Sequence, residues 1–149
     1  MAPTIPRQPE LLVQLRQTQH AVRTLLDGEL AASGLTTPQY TVLAAVERDR
    51  ELSASDLARE FGMTAQTVNV LVRALEACGL VRRTRHPGHG RIMLVTLTAR
   101  GRRALRHGRE MAMSVQDRLI EGLTSSDRSR LMNLLKRVEE SSSRNAESR

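Results

Sequence analysis

Between Glu10 and Ala32 the apolar residues Leu11, Leu15, Val22, Leu25, Leu26 and Leu30 return near helical spacing, which predicts a long first helix. Ser33-Gly34 ends it, with Gly34 suited to a left-handed cap. "TTPQYTVLAAVE" opens a second helix, with Thr37 as N-cap and Pro38 at the first helical position. In "LSASDLAREFG" the spacing of Ser53 and Asp56 is that of a capping box, so a short third helix runs to about Glu60 and Gly62 breaks it. Thr64 caps a fourth helix over Ala65–Ala77, stopped by Gly79. There the period changes. "LVRRTR" and "RIMLVTL" are strand-like runs on either side of "HPGHG", the pattern of a β-hairpin with a turn-rich tip. Thr98 caps a fifth helix toward Leu119, with Leu105, Ala112, Val115 and Leu119 as a partial apolar stripe and Gly108 interrupting its propensity. Thr124 and Asp127 repeat the capping pattern, and the last helix carries Leu131, Leu134, Leu135 and Val138.

The expected fold is therefore mainly α with one small β-hairpin. Residues 1–9 hold three prolines and read as an extended arm. Residues 35–98 form the compact part. The helices over 10–34 and 99–140 have apolar stripes poorly supplied with partners in one chain, so they form a helical dimerisation region that pairs with a second copy. The polar segment 141–149 reads as a disordered tail.

Composition narrows the class. A chain of 149 residues is long enough for one domain with a real core. One Tyr, one Phe and no Trp make that core aliphatic. No run of 18 apolar residues suggests a membrane span, and "MAPTIPRQPE" lacks the apolar stretch of a secretory signal. The single cysteine, Cys78, cannot form an intramolecular disulfide and fits a cytoplasmic setting. It sits beside a helix C-terminus, where nothing activates a thiol, and reads as a small buried or semi-exposed residue. No convergent nucleophile, base and orienting group is evident, and no cofactor motif, so the chain is not read as an enzyme.

Charge points to a partner. The net charge is +7, and from Leu80 to Arg109 there are nine arginines and no acid. That is the footprint of a polyanion-binding surface. Within "ASDLAREFGMTAQTVNVLVRALEACGLV", Ala58, Gly62, Val68 and Leu71 fall at offsets 0, +4, +10 and +13. A small residue lets two helices approach, a glycine makes the turn, and two apolar residues lock the second helix down, as a helix-turn-helix requires. Val68, Leu71, Val72 and Leu75 make the buried stripe. Gln66, Val70 and Arg73 lie opposite, flanked by Thr67 and Asn69, with Thr64 at the helix start. Such a helix presents its N-terminal half to the major groove of double-stranded DNA. Gln and Asn pair with adenine edges, Arg with guanine or phosphate, and the Val and Thr methyls with thymine. Ser53 and Ser55 are candidates to donate to phosphate, and Arg82, Arg83 and Arg85 to contact the backbone.

"LTTPQYTVL", "LSASDLAREFGMTAQTVNVLVRALEACGLVRR" and "RIMLVTLTARGRRAL" together resemble the MarR family of winged helix-turn-helix regulators. Element order, the L-E-x-x-G-L-V junction (Leu75 to Val81) and the L-T-x-x-G after the hairpin (Leu97 to Gly101) carry the resemblance over about residues 10–140. It implies a homodimer held by the first and last two helices. It also implies a transcriptional regulator, in most cases a repressor, on a pseudo-palindromic operator, with release by a small aromatic or phenolic effector or by oxidation. It makes the hairpin a wing, with Arg91 as the minor-groove residue and His89 and Gly90 beside it. It points to a crevice near the first two helices, for which His20, Thr24, Tyr40 and Leu43 are the candidate effector residues. The family's wing tip usually reads D-P-x-D-x-R; here His86 and His89 stand for both acids, and their protonation adds positive charge to the wing. Val70 stands where a basic residue is common and Arg73 where an acid is common, so the operator preference departs from the family average. Two alternatives remain open on the residues: a metal-responsive regulator using the wing histidines, and a non-specific architectural DNA-binding protein. A phosphate-cradling reading of "GHG" fails because the loop leads into a strand, not a helix.

Overall fold

The chain is described by a computed structural model over residues 9–147, with side chains to residue 144. The expected arm over 1–9 lies outside this range except for Pro9, which precedes α1 (Glu10–Leu30). A single 3₁₀ turn over Ala31–Ser33 follows, and α2 (Thr37–Arg48) is capped by Thr36 rather than Thr37. Thr36 wins because its hydroxyl accepts from Gln39 N while Gln39 Oε1 accepts from Thr36 N, a reciprocal box that Thr37 has no Glu or Gln in register to make. Helix α3 (Ala54–Glu60) starts on the expected Ser53–Asp56 box, and α4 (Ala65–Ala77) on Thr64, whose side chain accepts from Thr67 N at 3.1 Å. Between them Gly62 sits at φ 59°, a left-handed conformation that a side chain resists, so the chain turns there sharply enough to lay α4 on α3.

Strands β1 (Val81–Arg85) and β2 (Met93–Leu97) pair antiparallel, Val81 opposite Leu97 and Arg85 opposite Met93. A further rung ties them to the start of α3: Val95 N donates to Leu52 O at 2.8 Å, and Ser53 bridges to Leu94. Around this the core is aliphatic, as the composition predicts. Val42, Leu43, Leu57, Val68, Val72, Leu75 and Leu105 are each completely buried. Burying a side chain of this size contributes roughly 1.5–3 kcal/mol, so the two-helix motif and the hairpin share one hydrophobic anchor.

Helix α5 (Ala99–Ile120) begins on Thr98, whose hydroxyl accepts from Gly101 N and donates to Gly79 O. A Cβ on Gly101 would lie 1.9 Å from the Leu80 carbonyl oxygen, so the glycine of the L-T-x-x-G motif is demanded by backbone contact. Gly108 is not merely a weak point in the helix. It is buried under the Tyr40 ring, which an added Cβ would meet at 3.0 Å.

The contacts divide the chain after Val115. In the C-terminal unit α6 (Ser125–Glu147) starts on a Thr124–Asp127 box as expected. It does not stop near 140. Of the segment 141–149 read from sequence as disordered, 148–149 lie outside the described residues and 141–147 continue the helix; they contain no Gly or Pro to break it, and Ser141 and Ser142 turn their hydroxyls onto Arg137 O and Val138 O. No residue of α6 with a described side chain is buried, and Leu131, Met132, Leu134, Leu135 and Val138 are all exposed. Among the described residues no helix is long and apolar enough to cross a membrane.

Candidate nucleic-acid interface

Helix α4 divides cleanly. Val68, Val72 and Leu75 face the core, whereas Gln66, Val70 and Arg73 stand exposed at spacings that place them on one side. Val70 is 60% exposed, an apolar side chain that the described residues leave in water. Thr67 and Asn69 are more committed. The Thr67 hydroxyl lies 2.8 Å from that of Thr64, inside the cap. Asn69 donates to Ala65 O at 2.9 Å and accepts from Arg83 Nη2 at 3.3 Å. Its amide thus ties the recognition helix to the hairpin.

A cleft of about 450 Å³ opens between α3, α4 and the hairpin. Ser53, Ser55, Asn69, Arg83 and Arg91, five residues chosen from sequence for DNA, all line it. Arg59, Ile92 and Met93 line it too, and the sequence reading did not select them. Arg59 follows Asp56 by one helical turn, and that spacing was the available signal. Ser53 has its hydroxyl engaged: it donates to Asp56 Oδ2 at 2.6 Å and accepts from Asp56 N at 3.2 Å. These hydrogen bonds hold the Asp56 carboxyl below its ordinary value of 3.8, the Ser53 side chain contributing most. Ser55, exposed, is the freer hydroxyl.

Arg82 does not join this cleft. Alternation along β1 sends Arg82 and its cross-strand partner Thr96 to one face and Arg83 with Val95 to the other. Arg82 Nε donates to Thr96 Oγ1 at 3.4 Å. Arg83 is half-buried against Asn69, with Glu76 3.7 Å from its Nε. The arginine-rich stretch is therefore not without acids once folded: Glu76 from α4 faces Arg83, and Glu47 from α2 pairs with Arg109 and raises its pKa. Arg85 and Arg91 stay exposed, with no acid at ion-pair distance among the described residues.

The wing tip is held by its backbone and by one imidazole. His86 N donates to Ile92 O, and Ile92 N to His89 O. His86 Nδ1 accepts from the Gly88 N–H at 2.9 Å, the bond a carboxylate makes two residues along in an Asx turn. His89 is exposed, its ring 5.1 Å from that of His86. Neither Gly88 nor Gly90 has a positive φ, and a Cβ on Gly90 would meet nothing, so the turn does not require glycine at 90. Among the described residues no three His, Cys, Asp or Glu side chains are grouped to hold a metal ion. Cys78 is exposed at the C-cap of α4, not buried, because the helix ends there on its outer side.

The candidate effector residues occupy different settings. His20 is exposed on α1, on an open helix surface with Val13, Arg16 and Gln17. Thr24 donates back to His20 O at 3.0 Å. Tyr40 packs on Gly108, and Leu43 is fully buried in the core.

Helix, turn, recognition helix and basic hairpin define a winged helix-turn-helix DNA-binding protein. A sequence model of the MarR family matches residues 33–92. The transcriptional repressor Rv2887 of Mycobacterium tuberculosis is 29% identical over 117 residues, 78% of this chain and 84% of that protein. An uncharacterized protein of the same organism, Rv2011c, is 35% identical over 98 residues, 64% of this chain and 68% of that one. The crystal structure of Rv2887 with salicylic acid superimposes with a TM-score of 0.74 at 27% identity, covering 90% of this chain and 99% of that chain. Its structure with DNA gives 0.71 at 26%, covering 86% and 96%. The chain belongs to the MarR family of transcriptional regulators.

Proposed function

We propose that the protein is a sequence-specific transcriptional repressor that binds a pseudo-palindromic operator as a homodimer and releases it when a small aromatic or phenolic effector binds. It acts in the cytoplasm and catalyses no reaction. The observation that carries this reading is the joint exposure of two elements tied to one another. The outer face of α4 is exposed at Gln66, Val70 and Arg73, and the wing beside it presents Arg85 and Arg91 with no acid at ion-pair distance among the described residues. In this reading Gln66, Val70 and Arg73 read the major groove, with Thr64 and Thr67 at the helix start and Asn69 holding the helix to the wing. Arg91 enters the minor groove with His89 and Gly90 beside it, and Arg85 and Ser55 hold phosphates. Asn69 and Arg83 act by fixing the angle between helix and wing, and Ser53 by capping α3.

Dimerisation falls to 10–34 and 99–140, continued by the longer α6. Leu11, Leu12 and Leu25 on α1, Met113 and Leu119 on α5, and the Leu131–Val138 stripe on α6 are exposed apolar side chains that a second copy would cover. A structure of Rv2887 holds salicylic acid and another holds DNA, which supports an effector and an operator here. An effector releases DNA only by binding a DNA-incompetent arrangement more tightly.

The test is competition. DNA from beside the gene, carrying an inverted repeat with half-sites about one helical turn apart, is expected to bind far more tightly than random DNA at physiological salt. Equal affinity would leave a non-specific architectural protein.

A further inference from the structure

The outer face of α4 has an apolar centre. Val70 is 60% exposed, with Gln66 one turn before it and Arg73 three residues after it, both exposed on the same side. We propose that Val70 reads the 5-methyl group of a pyrimidine in each half-site of the operator, so that thymine and 5-methylcytosine serve alike there and uracil or unmodified cytosine does not. The inference rests on the operator reading above. It adds the chemical group that is recognised, and with it a sensitivity to cytosine methylation.

The polar side chains nearest Val70 on its flanks are already engaged. The Thr67 hydroxyl lies 2.8 Å from that of Thr64, within the helix cap. The Asn69 amide donates to Ala65 O and accepts from Arg83. The middle of the helix therefore meets a base edge with an apolar side chain, not with a donor or acceptor. Valine is branched at Cβ and holds essentially one χ1 rotamer in a helix. Its methyls are presented without the ordering cost of a long polar side chain. From Ala65 to Leu75 the helix contains no acid, which suits a polyanion in contact with this face. A single valine flanked by Gln66, Thr67 and Arg73 is far smaller than the apolar patches that mark protein interfaces.

The chemistry of the groove then selects the methyl. Thymine shows O4 and a C5-methyl on its major-groove edge, and cytosine shows an N4 amino group. Valine has no polar atom, so it does not distinguish O4 from N4. It responds to the methyl, which 5-methylcytosine carries on the same ring carbon. Uracil keeps O4 and lacks the methyl. Gln66 and Arg73 bring hydrogen-bonding groups to the base pairs on either side. From one to the other the helix rises roughly 10 Å, about three base-pair steps, with Val70 between them.

The experiment uses the full chain and the duplex that wins the competition above, at constant salt. Thymine is replaced by deoxyuridine at one pair of symmetry-related positions at a time. At one such pair the affinity is expected to fall about fourfold per half-site, the effect of one buried methyl. At the same pair, 5-methylcytosine opposite guanine should bind about fourfold per half-site more tightly than unmodified cytosine opposite guanine. Val70→Ser should lose both preferences, and a melting temperature near the parent's would show that it folds. Specific binding indifferent to deoxyuridine at every position would overturn the proposal and leave the operator reading standing. So would a methyl preference undiminished in the folded Val70→Ser protein. A duplex bound no more tightly than random DNA would remove both.

Discussion

Helices α4 and α6 carry the same kind of pattern and end in opposite states. In α4, Val68, Val72 and Leu75 are completely buried by α2, α3 and the hairpin. In α6, Leu131, Leu134, Leu135 and Val138 recur at the same helical spacing, yet each is at least 40% exposed. A periodic apolar stripe states that a helix needs a partner; it does not state whether the partner is in the same chain. What separates the two is neighbourhood. Helix α4 follows a tight glycine turn and precedes a hairpin that folds back on it, so its cover is local, whereas the cover proposed for α6 is another copy.

The contrast can be broken most severely at α6. Leu134→Asp/Leu135→Asp should weaken the proposed dimer by about 3–6 kcal/mol, read by sedimentation as monomers at concentrations where the parent is dimeric. A dimer that survives would remove α6 from the interface. At α4, Leu75→Ala should cost about 2–5 kcal/mol in urea unfolding, from a cavity in the protomer's own core. The loss in that variant should be the same at every protein concentration at which the parent is fully dimeric. Arg91→Ala should leave both stability and assembly alone and weaken operator binding by about 1–3 kcal/mol; unchanged affinity would mean that the wing does not enter the groove. The smallest change is Ser53→Ala, expected to cost about 1 kcal/mol at neutral pH through the lost cap. Asp56 has its folded pKa depressed below 3.8 by Ser53, so the cap contributes above that value and is lost as pH falls through the lower folded value. The gap between Ser53→Ala and the parent should therefore narrow in acid, the bond from Asp56 N remaining, and a gap independent of pH would disconnect the cap from the carboxylate.

Much of the fold was legible because its signals are local. The Ser53–Asp56 and Thr124–Asp127 boxes, the Thr64 cap and the Gly62 turn each need only a few neighbouring residues. Where two local signals competed, at Thr36 and Thr37, the reciprocal bond to Gln39 decided, and a single-residue preference for Pro38 at the first position misled. Gly108 read as a blemish in a helix because its reason, the Tyr40 ring, comes from a different helix. The candidate interface shows the same division. Alternation along β1 was readable in principle and would have separated Arg82 from Arg83. The commitment of Asn69 to Arg83 depends on how elements are stacked, which no spacing within either segment encodes.

The Leu80 carbonyl gives the molecule a mechanical joint. It accepts from Thr98 N at 3.0 Å, lies 3.1 Å from the Thr98 hydroxyl that donates to Gly79 O, and leaves no room for a Cβ on Gly101. Leu80 lies between the end of α4 and the first residue of β1. The root of α5 is thus seated at the point from which the recognition helix and the wing both depart. Close-packed backbone has little give, so a tilt at the root of α5 cannot be absorbed there. A tilt of α5 that kept this contact would carry the end of α4 and the start of β1 with it, and a side chain at position 101 would force the contact open.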